Sequence, residues 1–290
     1  MFLPLAAHNV HDYNQTLMPP TDAPRRYAIR GGEEGKKRLD VLARVLLPST
    51  AQLLDRAGLI RGMKCLDIGC GGGHVAMLMA SIVGPEGDVV GTDTDAVILA
   101  LAREQAAAAN VANIKFQQLD ACASSWHNEF DLVYARFLLS HLNQPENCVA
   151  AMVAACAPGG TIVIEDTDFA ASFCYPICAA YERYKELYQE LIKRRGGDAN
   201  VGPKLPAILR KAGVHQIQLN VIQPAHIKSE GKLMAPLTMS RISEALIAEE
   251  LAARDEAQQI LADLNHIAAD SETLISLPRI FQVWGKRGNV

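Results

Sequence analysis

Between residues 60 and 168, short apolar runs alternate with stretches of helical period, and this alternation constrains the fold more than any other feature of the chain. Lys64-Cys-Leu-Asp-Ile68, Asp88–Thr92, Ile114–Leu119, Phe130–Tyr134 and Thr161–Glu165 read as strands. His74–Val83, the alanine-rich Ala96–Asn110 and Cys148–Ala157 read as helices between them, and Pro158-Gly159-Gly160 forms a turn into the fifth strand. Strands of this length alternating with helices over about a hundred residues build βαβ units and a parallel sheet.

The flanks read differently. Residues 1–26 carry four prolines without clear period and are expected to be an irregular arm. A helix follows from Glu33 to Ala57, with an interruption near Pro48 and a stop at Gly58. Beyond Glu165, residues 172–195 and Lys204–Ala212 look helical, Gln216–Ile222 looks like a strand, and Ile280–Trp284 a last one. From Arg241 to Leu277 there is neither Gly nor Pro, and apolar residues recur at helical spacing. The expected organisation is an N-terminal arm and helices over residues 1–58, a core over 59–225 and 276–290, and a helical cap over 226–275 to which 172–195 contributes.

Charge and cysteine usage bound the partners. A net charge of −4 offers no basic field for a phosphate backbone, so a nucleic-acid partner is disfavoured. The seven cysteines are odd in number and lack CxxC pairs, which reads as reduced thiols rather than a disulfide framework or zinc site. No apolar run approaches the ~20 residues of a membrane span, and the first residues lack a basic segment ahead of a long apolar one. The expectation is a cytoplasmic protein with no membrane partner.

The stretch richest in chemistry is Asp67-Ile-Gly69-Cys70-Gly71-Gly72-Gly73, where the first strand gives way to a helix. Glycines at such a junction allow a tight turn and bring a ligand against main-chain N–H groups. Twenty residues past Gly73 stands Asp93, just after the second strand, where a carboxylate can accept from both hydroxyls of a ribose. Together they point to an adenosine-containing cofactor lying across the first two strands. A dinucleotide requires G-x-G-x-x-G, and the third position counted from Gly69 is His74. Asp67 would also stand close to a pyrophosphate, whereas a cationic, phosphate-free ligand tolerates it.

Asp67-x-Gly69-x-Gly71-x-Gly73 resembles motif I of the class I, S-adenosylmethionine-dependent methyltransferases. Leu119-Asp120-Ala121 is similar to their adenine-contacting acidic position, Phe130–Phe137 to their fourth strand, and Pro158-Gly159-Gly160 to the turn before their fifth. The resemblance covers residues 60–168 closely and 25–60 loosely. It implies an α/β fold with a doubly wound, seven-stranded, mostly parallel sheet whose last strand is antiparallel, here carrying a helical cap. It implies S-adenosylmethionine as cofactor and S-adenosylhomocysteine as product. Asp67, Gly69, Gly71 and Gly73 would cradle the methionine part, Asp93 would hold the ribose, and Asp120 with Ala121 the adenine, with Cys70 and Thr94 as further cofactor-binding residues. The loop after strand four, around Arg136 and Phe137, would close on the methionine end. By analogy with small-molecule members, Tyr27, Arg30 and Arg38 are further cofactor-binding candidates.

Methyl transfer from a sulfonium is an in-line displacement that alignment and water exclusion can largely drive. A base is required only where the nucleophile must lose a proton. His141, Glu165, Asp166 and Asp168 fall past the expected ends of strands four and five, and His141 is the best candidate base. No Asn/Asp-Pro-Pro-Tyr follows strand four and no catecholate metal motif is recognisable, so no metal is expected. Phe169, Phe173, Tyr175, Tyr181, Tyr184 and Tyr188 cluster after strand five, either as a core stripe or as the wall of an apolar pocket. The reading is methyl transfer to a small hydrophobic or aromatic acceptor, oxygen favoured over nitrogen or carbon. A nicotinamide-dinucleotide oxidoreductase and a non-catalytic S-adenosylmethionine-binding protein are the alternatives. The apolar face of 226–275 needs either the aromatic stripe or a second copy of the chain, as in a homodimer, to cover it.

Overall fold

Buried on both faces, the central strands read as nearly unbroken apolar runs, and their alternate residues feed two separate cores. The computed structural model describes residues 32–120 and 126–288. Its parallel strands are β1 (Lys64–Ile68), β2 (Asp88–Asp93), β3 (Ile114–Gln118), β4 (Phe130–Arg136) and β5 (Cys156–Asp168). They are joined through α2 (His74–Val83), α3 (Ala96–Ala108) and α4 (Pro145–Ala155), while α1 (Gly32–Arg56) precedes them. Cys65 and Val163 face α1, α2 and α3 in one layer. Leu66, Ile68, Val133 and Ile164 face α4 in the other.

The second half adds β6 (Cys174–Tyr175), α5 (Ala179–Arg194), α6 (Leu205–Lys211), β7 (Val214–Ile222) and β8 (Ala225–His226). It closes with α7 (Met234–Ala248), α8 (Arg254–Ala269), β9 (Leu274–Ser276) and β10 (Arg279–Arg287). The seven-stranded sheet runs β3-β2-β1-β4-β5-β10-β7. β10 is antiparallel to both neighbours, which matches the expected odd strand. β6, β9 and β8 form a small second sheet. α5, α7 and α8 share their own core, with Tyr181, Tyr184, Met239, Ile242, Leu246 and Leu264 all buried.

Four expectations need correction. α1 does not break at Pro48. A proline inside a helix costs about 3 kcal/mol, and burial of Leu46, Leu53 and Leu54 on either side of it is enough to offset this. β5 does not end at Glu165 but continues to Asp168, because β10 pairs with it as far as Arg279 opposite Asp168. Glu165 and Asp166 are therefore inside the sheet rather than past its end. The helical run from Arg241 to Leu277 is two helices and a strand, broken at residues 249–253, where Glu250 adopts a positive φ of 55°. The segment from 172 starts as strand β6 and becomes helical only at Ala179.

The described cysteines are all free of disulfides. Among the described residues no helix is long and apolar enough to cross a membrane, and no cluster of side chains suits a metal ion.

Candidate active site

The strand order reverses between β1 and β4, and open α/β sheets bind ligands outside the carboxyl ends of the strands at that point. The glycine loop leaves β1 there and Phe137 leaves β4. Cys70 N–H donates to the Thr92 carbonyl at 2.8 Å, which ties the loop to β2. Gly73 adopts a φ of 77°, and a Cβ on it would stand 2.7 Å from Phe116 Cζ, so this glycine is needed for packing. Gly71, at a φ of 51°, differs: among the described residues a Cβ there would meet only Leu39 of α1, at 3.6 Å. The space above Gly71 is thus an open cradle roofed by α1. Gly69 lies against Leu138, whose side chain a Cβ would approach to 3.1 Å.

Two carboxylates frame the cradle. Asp93 accepts the Gly71 N–H at 2.9 Å through one oxygen and the Asp95 N–H at 3.0 Å through the other, so it holds the loop in shape as well as facing the site. Burial raises its pKa, and the Asp95 and Gly71 bonds oppose that rise. Thr94 beside it is exposed, and its carbonyl accepts from Gln118 at 2.9 Å. Asp67 is 2% exposed. It accepts the Ala76 N–H, yet its Oδ2 is buried with no hydrogen-bond partner. Burial pushes its pKa up to about 7, partly offset by the nearby positive charge of Arg136. A buried acceptor left over in this way fits a cationic ligand group and repels an anionic one.

Arg136 is the last residue of β4 rather than part of the loop after it, and its Nη1 donates to Thr50 Oγ1 of α1 at 3.2 Å. It therefore braces α1 over the sheet, a partner that sequence spacing did not indicate. Phe137 takes a left-handed φ of 53°, which a bulky side chain adopts only where surroundings impose it. Its N–H donates to the Glu165 carbonyl at 2.9 Å. Asp120 is exposed at the end of β3. Tyr27, Arg30 and Ala121 lie outside the described residues. Arg38 hydrogen-bonds Thr238 of α7 at 3.0 Å.

A small cavity of about 60 Å³ lies between α1, the Phe137 turn and the facing ends of β5 and β10. Leu42 of α1, Phe137, Ser140, His141, Phe169, Tyr188, Met234 and Ile280 contribute to its wall, which is largely apolar. Phe169 stacks on Tyr188 with ring centroids 4.0 Å apart. Of the aromatic cluster these two face the cavity, Tyr181 and Tyr184 belong to the helical core, and Tyr175 is 68% exposed. His141 is buried, and its pKa falls to about 3 through desolvation aided by the charges of Arg38 and Arg195. The imidazole is neutral at physiological pH and a weak proton acceptor. Asp166 is buried too, with Oδ2 accepting the Ser140 N–H at 3.1 Å and Oδ1 the Thr167 N–H at 2.8 Å, so it anchors the turn that carries His141. Glu165 accepts from the Tyr134 hydroxyl at 2.7 Å and from Gln282 at 3.1 Å. Asp168 pairs with Arg279 at 3.6 Å.

A family model of the methyltransferase domain matches residues 59–235, more than half of the chain. The chain belongs to the class I, S-adenosylmethionine-dependent methyltransferases. It is 34% identical over 110 residues to a ubiquinone biosynthesis O-methyltransferase of Acinetobacter baumannii, a match covering 37% of this chain and 45% of the relative. It is 29% identical over 133 residues to a ubiquinone/menaquinone biosynthesis C-methyltransferase of Erwinia tasmaniensis, covering 45% and 52%. The matched part thus spans about half the length of these curated relatives. In fold it is similar to Bacillus subtilis YcgJ, with a TM-score of 0.56, 16% identity, and 83% of this chain and 98% of that one covered. A Haemonchus contortus phosphoethanolamine N-methyltransferase crystallised with S-adenosylhomocysteine gives a TM-score of 0.53 at 18% identity, with 84% and 53% covered. The family's cofactor fits this methyltransferase's site: the open cradle above Gly71 and the unpartnered Oδ2 of Asp67 suit a phosphate-free cation.

Proposed function

We propose that the chain methylates a small hydrophobic or aromatic acceptor, preferentially at oxygen. The observation that carries this reading is the largely apolar cavity walled by Leu42, one helical turn from the Leu39 that roofs the glycine cradle, and by Phe137 and Thr167 at the carboxyl ends of β4 and β5. The relatives named for ubiquinone biosynthesis support an acceptor of aromatic, quinone-like character. When bound, S-adenosylmethionine supplies an electrophilic methyl group on a sulfonium.

Asp67 and the loop of Gly69, Cys70, Gly71 and Gly73 would hold the methionine part, with Asp67 kept ionised by the positive charge it faces. Asp93 and Thr94 would hold the ribose, and Asp120 with Ala121 the adenine. Phe137 and Leu42 exclude water from the line of attack, where positioning is worth about 7–11 kcal/mol in favourable cases. His141, neutral and buried, is suited to orienting an acceptor hydroxyl by a hydrogen bond more than to removing its proton. The cavity is less than half the ~150 Å³ that accommodates a benzene ring. An aromatic acceptor therefore enters only as α1 or the Phe137 turn gives way. Residues 226–275, with 172–195, act in this reading as a cap whose apolar faces are covered by one another, since α7 and α8 pack on α5.

Methyl-labelled S-adenosylmethionine incubated with hydroxylated naphthalenes should leave label in an aryl methyl ether, with one S-adenosylhomocysteine formed per ether. Label recovered only in methanol, or left on the bound cofactor, would overturn the reading. Asp93→Ala should weaken S-adenosylhomocysteine binding at least tenfold by calorimetry. A charged acceptor is worth about 1.5–3 kcal/mol, and the variant also releases the Gly71 N–H that shapes the loop. Unchanged affinity would remove Asp93 from the site.

A further inference from the structure

Three helices bring one charged side chain to within a helical turn of the cavity wall. Leu42 of α1, Tyr188 of α5 and Met234 of α7 line the cavity, and four residues away along each helix stand Arg38, Tyr184 and Thr238. Residues four apart lie one above the other on a helix face. Those turns meet, because Arg38 Nε donates to Thr238 Oγ1 at 3.0 Å. Arg38 is half-buried, and its charge acts on both Tyr184 and the cavity-lining His141.

Two other charged residues of α1 are matched: Asp40 meets His74 at 2.9 Å, and Arg44 makes a two-pronged pair with Glu230 at 2.7 Å. Arg38 has a neutral hydroxyl instead, and among the described side chains no carboxylate lies within ion-pair distance of it. A guanidinium carries five N–H donors in a planar fork suited to paired oxygens. Holding such a charge beside an apolar wall without a counter-ion is unfavourable. A ligand that delivers the counter-charge removes that penalty.

We propose that Arg38 recognises an anionic oxygen, carboxylate or phenolate, on an otherwise apolar acceptor, and so fixes which way the acceptor lies in the cavity. This rests on the reading of the cavity as the acceptor site. Arg38 is then a specificity residue of the acceptor side, four residues from the cavity wall, rather than a partner of the cofactor carboxylate.

The test is calorimetric titration of protein saturated with S-adenosylhomocysteine, using three probes with the same apolar body. Naphthoate carries a carboxylate, dinitronaphthol is ionised as a phenolate at neutral pH, and naphthylmethanol is neutral. At least one anion should bind tenfold or more tighter than the neutral probe, as expected for a charge-assisted pair, and which anion does so identifies the group read. Arg38→Met should bring that anion down to the level of naphthylmethanol while leaving the neutral probe within about threefold, and Arg38→Lys should restore part of the preference. Equal binding of neutral and anionic probes to the wild type, or a preference that survives Arg38→Met, overturns the proposal and leaves the cavity reading standing. Binding of none of the three overturns both. A tenfold loss of S-adenosylhomocysteine affinity in Arg38→Met returns the residue to the cofactor and also overturns the proposal.

Discussion

Gly71→Val should give a folded protein that has lost S-adenosylhomocysteine binding by about a hundredfold or more. At a φ of 51° a β-branched residue is strained by about 1–3 kcal/mol. Its two methyl groups would then fill the space between the loop and Leu39. The fold should survive, because among the described residues a Cβ at Gly71 meets only the half-buried Leu39, and the loop is held at its ends by Cys70 and Gly73. Gly73→Val serves as the contrast, since Phe116 blocks that Cβ and the whole β1–α2 junction should suffer. Thermal unfolding together with calorimetric titration separates the two variants. A Gly71→Val protein that melts normally and binds normally would mean that the cradle lies elsewhere.

Asp166→Ala should cost about 3–5 kcal/mol of stability, a large share of the 5–15 kcal/mol of an ordinary domain. The carboxylate is fully buried and accepts the Ser140 and Thr167 N–H groups, with Leu139 N–H and the Ser140 hydroxyl also turned towards it. Each donor orphaned in the interior costs about 1–3 kcal/mol. Burial, opposed by those bonds, lifts the Asp166 pKa to about 6 from its ordinary 3.8. A carboxyl whose pKa is raised by folding contributes stability that is complete below the unfolded value and declines as pH rises through the folded one. The gap between wild type and variant should therefore narrow from pH 4 to pH 8. Urea titrations at the two ends measure it. A variant within 1 kcal/mol of wild type at both would show that the His141 turn does not depend on Asp166.

Much of this molecule is legible in its residues. The five parallel strands, the glycine loop and the position of Asp93 all follow from local pattern, because each is decided within a few residues of chain. What escaped is set by contacts distant in sequence. β5 runs on to Asp168 only because β10, over a hundred residues later, pairs with it. α1 crosses Pro48 unbroken only because both sides of it are buried. Arg136 looked like a loop residue and proves to brace α1 through Thr50, and Arg38 turned out to meet Thr238, two hundred residues away. The broken run after Arg241 was misread for a different reason: apolar period does not register a reversal of direction that lacks Gly or Pro, and here Glu250 makes the turn.

The place of β10 bears on how such a chain is made. β10 sits between β5 and β7, so the strand translated last among those of the sheet belongs inside it, one place from the edge. While the ribosome is still adding α7 and α8, β1 to β5 can already assemble, but β5 presents an open edge and β7 has nothing to lie against. The nascent molecule therefore passes through an interval with a buried-type strand exposed, the condition under which neighbouring chains pair in error. Closure must then join segments more than a hundred residues apart, a non-local step that slows folding and lengthens that interval. Slow synthesis of the last helices, or a chain cut short ahead of Arg279, would thus be felt first as aggregation rather than as lost methyl transfer.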